Sequence, residues 1–225
     1  MCGKLLITAR GVTWFLTTVL ACMTLLAAIV LPTWLIGPEL IPIENGDGNF
    51  TIYRQPSVGI YNRCKRMGGG EYNCGNFDLY GLATDPSIFP VPWKFTMTLM
   101  CVGTILLAMT LVCTLTTCFR VHTFCGRSVY KLIGIFQGVA AMMVLCGFII
   151  YPLGWSEPRV KSLCGLDAEA YYPSDCNLGE ALYLGATGVM LAFFSAIGSA
   201  RAESAYYSVK AQQRMEEGQV LVCVP

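Results

Sequence analysis

The chain has 225 residues and a net charge of +1, with 13% charged and 55% apolar residues. The charged share is about half that of an ordinary soluble domain. This balance excludes a bulk basic field for nucleic acid and an acidic tail, and it directs attention to long uncharged runs.

Residues 1–11 carry Lys4 and Arg10 and no acid. The first long apolar run is 12–36, and three more follow at 95–119, 129–151 and 178–200. A helix of about 20 apolar residues crosses a bilayer core, so each run predicts a transmembrane helix. Their only charges, Lys131 and Glu180, lie near run ends. The first run is longer than the roughly 7–15-residue core of a signal peptide and continues beyond its small residues, so it reads as a membrane helix.

Between the first two runs lies a polar, Gly- and Pro-containing segment, 37–94. It holds a sequon at Asn49-Phe50-Thr51, a turn at Asn45–Gly48, and two candidate strands, Phe50–Tyr53 and Val58–Tyr61. Cys64 and Cys74 flank Gly68-Gly69-Gly70, which reads as a hairpin or loop closed by a disulfide. The short link 120–128 holds Arg120 and Arg127 and no acid, whereas 152–177 mixes Arg159 and Lys161 with four acids. Short positive segments stay cytoplasmic, so both termini, including the tail 201–225, are expected inside. Segments 37–94 and 152–177 are then outside, and Asn49 is a predicted glycosylation site. The secretory pathway and plasma membrane follow as the expected location.

The twelve cysteines sort by side. Outside are Cys64, Cys74, Cys164 and Cys176, which permit three pairings; the local one, Cys64–Cys74 with Cys164–Cys176, is simplest. Cys22, Cys101, Cys113 and Cys146 fall within the helices as small apolar packers. Cys2, Cys118, Cys125 and Cys223 fall at the inner face, where thiols are palmitoylation candidates or stay unmodified. Cys118, His122 and Cys125 lack the fourth ligand of a structural zinc site. Small residues Gly134, Gly138, Gly185 and Gly188 mark expected helix contact faces, with Gln137 hydrogen-bonding to a neighbouring helix. The apolar tail end, 220–225, is read either as a docking segment or as a frayed terminus.

No GxSxG, HExxH or phosphate loop occurs, and no paired acids or histidines lie at membrane depth. Catalysis, a cofactor and a metal are therefore not expected. Several motifs resemble one family. Trp34-Leu35-Ile36-Gly37, Gly59–Cys64 and Cys74-Gly75 are similar to the first outer segment of the lipoma HMGIC fusion partner-like (LHFPL) tetraspans. Tyr151-Pro152-Leu153-Gly154-Trp155, Cys164-Gly165 and Cys176–Gly179 resemble the second. Residues 39–55 stand outside these motifs. The resemblance implies an all-α membrane protein, a single four-transmembrane-helix bundle over 1–225 with a small disulfide-stapled extracellular β-sheet, claudin-like in plan. Some relatives serve as auxiliary subunits of a mechanotransduction assembly with a cadherin, or of an inhibitory ligand-gated receptor. The expected function is a non-enzymatic accessory subunit for a channel, receptor or adhesion protein, with self-association left open. Claudin-like cell–cell adhesion and a small transporter or channel are the alternatives.

Overall fold

In the computed structural model, the described residues are 5–44, 51–66, 72–76, 89–119, 123–124, 127–209, 212–213 and 221–224. In chain order the elements are β1 (Leu5–Thr8), α1 (Ala9–Val30), β2 (Leu35–Ile36), β3 (Ile41–Glu44), β4 (Thr51–Arg54), β5 (Ser57–Val58), β6 (Asn62–Arg66) and β7 (Tyr72–Asn76). Then come α2 (Val91–Phe119), β8 (Thr123–Phe124), β9 (Arg127–Ser128), α3 (Val129–Ile150), α4 (Pro158–Cys164), β10 (Asn177–Leu178), α5 (Glu180–Tyr206) and β11 (Leu221–Val224). A 3-10 helix, Tyr151–Ser156, links α3 to the segment before α4.

The four long helices are each long and apolar enough to cross a membrane. Their exposed faces are apolar: Val12, Leu16, Leu20, Met23, Leu26 and Val30 recur every three or four residues along α1. The residues turned inward include Thr18, Thr96, Thr104, Gln137, Ser195 and Ser199. Such stripes would be an aggregation surface in water and are what a lipid-facing helix requires. Cys113 and Cys146 fall on exposed faces rather than in packed interiors, which corrects their expected role as packers.

Helix ends differ from the sequence reading for local reasons. The first helix stops at Val30 rather than near residue 36, because Pro32 turns the preceding residue out of helical conformation. Leu35 and Ile36 then pair as a strand. α2 begins at Val91 because Pro92 is tolerated in a first helical turn, and the Pro90 carbonyl accepts from Trp93 and Lys94 at 3.0 and 3.2 Å. The expected link 152–177 contains a short helix, α4, that starts on Pro158, a favoured first helical position. Of the expected strand 58–61, only Val58 is a strand residue; Gly59 donates to the Asn62 carbonyl at 2.8 Å and closes a turn.

The chain divides into two compact units. The first comprises Met1–Leu25, Val102–Val144 and Thr187–Pro225. Its core joins Trp14, Tyr130, Ile133, Ala202 and Tyr206. β1 pairs in parallel with β11, so residues 221–224 are a paired strand. Gly134 of α3 lies against α5, where an added Cβ would come within 2.0 Å of the Ser199 hydroxyl oxygen. Gly188 of α5 lies against Leu25 in the same way, at 2.6 Å. A Cβ on Gly138 would meet nothing within 4 Å, so this expected contact position touches no neighbour.

Gln137 is fully buried and links two helices. Its Oε1 accepts from Trp14 Nε1 at 3.0 Å, and its Nε2 donates to Thr18 Oγ1 at 3.2 Å. Thr18 donates its only proton to the Trp14 carbonyl at 2.9 Å. It therefore accepts from both Gln137 and Ser195, the latter at 2.6 Å, which uses both lone pairs. Gln137→Leu is expected to cost about 1–2 kcal/mol, because it leaves the Trp14 N–H buried without an acceptor. Trp14→Phe should then cost less in the Gln137→Leu background than in the parent. A double-mutant cycle of thermal unfolding in detergent checks this; additive losses would mean the bond contributes nothing.

The second unit comprises Leu26–Cys101 and Leu145–Ala186. It contains a five-stranded antiparallel sheet in the order β10-β2-β5-β6-β7 and the separate antiparallel pair β3–β4. The sequon at Asn49 and the palmitoylation candidates Cys2 and Cys125 lie outside the described residues. Cys118 is in α2 and Cys223 in β11.

Candidate interaction surface

The sheet unit is built on an aromatic stack. Trp34 is fully buried and packs on Tyr151 at 4.6 Å between ring centroids and on Phe148 at 5.8 Å. Tyr151 stacks on Trp93 at 5.3 Å and meets Trp155 edge-on at 6.2 Å. Offset and edge contacts of this kind add about 0.5–1.5 kcal/mol each beyond area burial. Trp93 Nε1 donates to the Tyr151 carbonyl at 3.2 Å, tying the start of α2 to the end of α3. Gly154 is the only residue type that fits over this ring, since a Cβ there would lie 2.4 Å from Trp93 Nε1. Gly185 of α5 lies alongside Phe148 and Trp34, at 3.3 and 3.4 Å from an added Cβ.

Two disulfides staple the polar segments. Cys64 and Cys74 face each other across the β6–β7 hairpin and are bonded. Cys164, at the end of α4, is bonded to Cys176, just before β10. Each closes a short loop and contributes about 2–4 kcal/mol by restricting the unfolded chain. Gly165 follows Cys164 with φ of 107° and ψ of 156°, a region open essentially to glycine alone. Gly37 is buried, donates to the Pro56 carbonyl at 2.8 Å, and would clash through a Cβ with Leu163 at 2.9 Å. Pro152 accepts from the Tyr171 amide at 3.3 Å. The motif residues Trp34, Gly37, Tyr151, Pro152, Gly154, Trp155 and Gly165 are thus brought together as the frame of one unit.

On that frame lies a cleft of about 590 Å³, between the β5–β6 strands and α4. Arg63, Lys65 and Arg159 line it, with Glu39 at its edge and Trp93 in its wall. This volume falls within the roughly 300–1,000 Å³ typical of ligand clefts. Burial, with Arg63 beside it, lowers the Arg159 guanidinium from its ordinary value to about 10. With Lys65 they give the cleft a largely cationic lining. The sequence reading counted Arg159 only as part of a loop charge balance and Arg63 only as part of a motif. Nothing in their spacing marked them as neighbours. The outlying β3–β4 pair is tied to the hairpin through Tyr72, which donates to the Gln55 carbonyl at 2.9 Å and lies 5.6 Å beneath the Arg54 guanidinium.

Four apolar helices carrying a small antiparallel sheet and a disulfide-bonded region define a claudin-like tetraspan membrane protein. The family model described as Lipoma HMGIC fusion partner-like protein matches residues 10–201, and the chain belongs to this family. It is 34% identical to human LHFPL tetraspan subfamily member 2 protein, the alignment covering 100% of both chains. It is 30% identical to zebrafish LHFPL tetraspan subfamily member 2a protein, again over 100% of both. Zebrafish LHFPL tetraspan subfamily member 3 protein is 27% identical over 81% of this chain and 76% of its own.

Proposed function

We propose that the protein is a non-enzymatic accessory subunit that binds and stabilises a larger membrane complex through the sheet unit. The observation that carries this reading is the cationic cleft, held open on a frame that aromatic stacking and two disulfides keep rigid. Preorganised surfaces bind with less ordering cost than flexible loops. In this reading the sheet unit faces the cell exterior at the plasma membrane, Asn49 carries a glycan, and both termini are cytoplasmic. The uncompensated Lys4 and Arg10 support that orientation. The partner is a channel, receptor or adhesion protein whose contacting surface carries negative charge towards this cleft.

Crosslinking and affinity purification of the full chain from native membranes test this. The expected result is stable recovery of a multi-pass or adhesion partner, with crosslinks at residues bordering the cleft. Reversing both charges, Arg63→Glu with Arg159→Glu, is expected to cut partner recovery at least tenfold, since a desolvated charge contact is worth about 2–5 kcal/mol. The melting temperature read alongside separates lost binding from lost folding, and Arg→Lys at both sites should retain part of the binding. Unchanged recovery would remove the cleft as the contact. Recovery of the chain alone in mild detergent would sink the subunit reading.

A further inference from the structure

The first unit carries a second recess, of about 420 Å³, between α1 and α5. Its lining has two characters. Phe194 and Ile197 form an exposed apolar wall, each more than half exposed. Thr13 and Thr17 line the α1 side, but each hydroxyl donates to a carbonyl of its own helix, at 2.9 and 2.8 Å, leaving no free donor. The floor is the edge of Trp14 beneath Gly198, where an added Cβ would lie 3.1 Å from Trp14 Cδ1. Arg10 and Arg201 complete the lining, both exposed. Glu203 pairs with Lys131 at 3.9 Å, so that carboxylate is already engaged, and among the described residues no acidic group is seen paired with Arg10 or Arg201.

The geometry points to a built site for one anionic glycerophospholipid. Its net-negative headgroup sits between Arg10 and Arg201, where the choline cation of a zwitterionic lipid is repelled, and part of an acyl chain lies over Gly198 against Phe194. Arginine suits this role because its planar fork meets phosphate oxygens bidentately, and because a guanidinium near a helix end reaches the headgroup layer while its stem stays apolar. The charge of the lining decides between occupants: two exposed arginines beside an apolar wall ask for a ligand with a negative head and an apolar chain. An acyl segment fits, and a lipid supplies both the apolar chain and the negative charge that the lining asks for. The site shares no lining residue with the cationic cleft and does not depend on the partner-binding reading.

The test uses the purified full chain in mild detergent, offered equal amounts of phosphatidylserine and phosphatidylcholine with identical acyl chains. Native mass spectrometry counts the retained lipid. The expected result is one bound phosphatidylserine, preferred about thirtyfold over phosphatidylcholine, which is two interfacial charges at about 1 kcal/mol each. Arg10→Gln with Arg201→Gln is expected to remove the preference. Lys131→Gln, which removes a positive charge on another element, should leave it. Gly198→Leu is expected to lower retention of both lipids by filling the recess, and soluble glycerophosphoserine should fail to displace the bound lipid. Melting temperatures identify a variant that fails to fold, in which case Arg10→Lys with Arg201→Lys takes its place, with a reduced preference expected. Equal binding of the two lipids, or full preference in the double Gln variant, would overturn the proposal. So would a dimer that Gly198→Leu dissociates, which would make a second copy the occupant.

Discussion

Gly179→Ala is expected to prevent recovery of folded protein. A Cβ at this position would lie 2.0 Å from the Thr33 carbonyl oxygen and 2.7 Å from its carbon. Both are backbone atoms, so no rotamer change relieves the contact. The Thr33 carbonyl is also fixed by what it does. It accepts from the Ala181 amide at 3.2 Å, one of the first amides of α5, while Gly179 itself donates to the Trp34 carbonyl at 2.9 Å. The opening turn of a helix leaves its N–H groups without helical partners, and here the chain after α1 supplies the acceptor. Moving Thr33 aside would lose that cap, and moving α5 aside would break the β2–β10 pairing of Leu35 with Leu178 and Ile36 with Asn177. The cost is expected at or above the roughly 3 kcal/mol upper end for overpacking. Gly75→Ala is the matched control, since a Cβ there meets nothing within 4 Å. Monodisperse yield in detergent and the unfolding midpoint check the pair. A Gly179→Ala protein that melts with the parent would show that these two strands separate without loss.

Helix number and the positions of the long runs were legible because lipid imposes a length and an exclusion of charge that composition alone reveals. The frame was legible only through motif residues, not through their reasons. The sequence marks Trp34, Tyr151, Gly154 and Trp155 as a set. The stacking of Tyr151 on Trp93, which makes Gly154 obligatory, depends on bringing α2 and α3 together and has no local signature. Helix ends were misplaced where apolarity and helicity part company: Leu35 and Ile36 are apolar, yet Pro32 releases them to pair as a strand. The same mismatch hid α4, whose proline and charges look like a linker and whose first-turn Pro158 is a favourable start. Gly138 shows the opposite limit. Its four-residue spacing from Gly134 puts both on one helix face, but only Gly134 meets α5, because the spacing on one helix does not show how far a neighbouring helix stays close alongside it. The cationic cleft was not legible, since Arg63 and Arg159 come from separate segments that only the folded sheet unit brings together.

Trp34→Phe and Trp34→Ala are expected to separate two roles of this side chain. α1 ends at Val30, so the carbonyls of its last turn have no helical partner. Three receive donors from beyond the helix. Ala27 accepts from the Leu31 amide at 2.9 Å, Ala28 from the Trp34 indole at 2.7 Å, and Val30 from the Asn62 side-chain amide. Pro32 supplies no N–H of its own, so a side-chain donor folding back is required. Trp34 is therefore a helix C-cap as well as the centre of the aromatic stack. Phenylalanine keeps most of the ring packing and removes the donor, leaving the buried Ala28 carbonyl unpaired at an expected cost of about 1–3 kcal/mol. Alanine also empties the space against Tyr151 and Phe148, raising the loss to about 3–5 kcal/mol. Stability alone does not identify the cap, so amide exchange is the deciding readout. Trp34→Phe is expected to speed exchange at Leu31 and its neighbours in the last turn of α1. Phe148→Leu, which loosens the same stack without touching the carbonyl, should leave those amides protected. Equal exchange in the two variants would mean that the indole N–H contributes nothing to ending the helix, and that Trp34 is there for its surface alone.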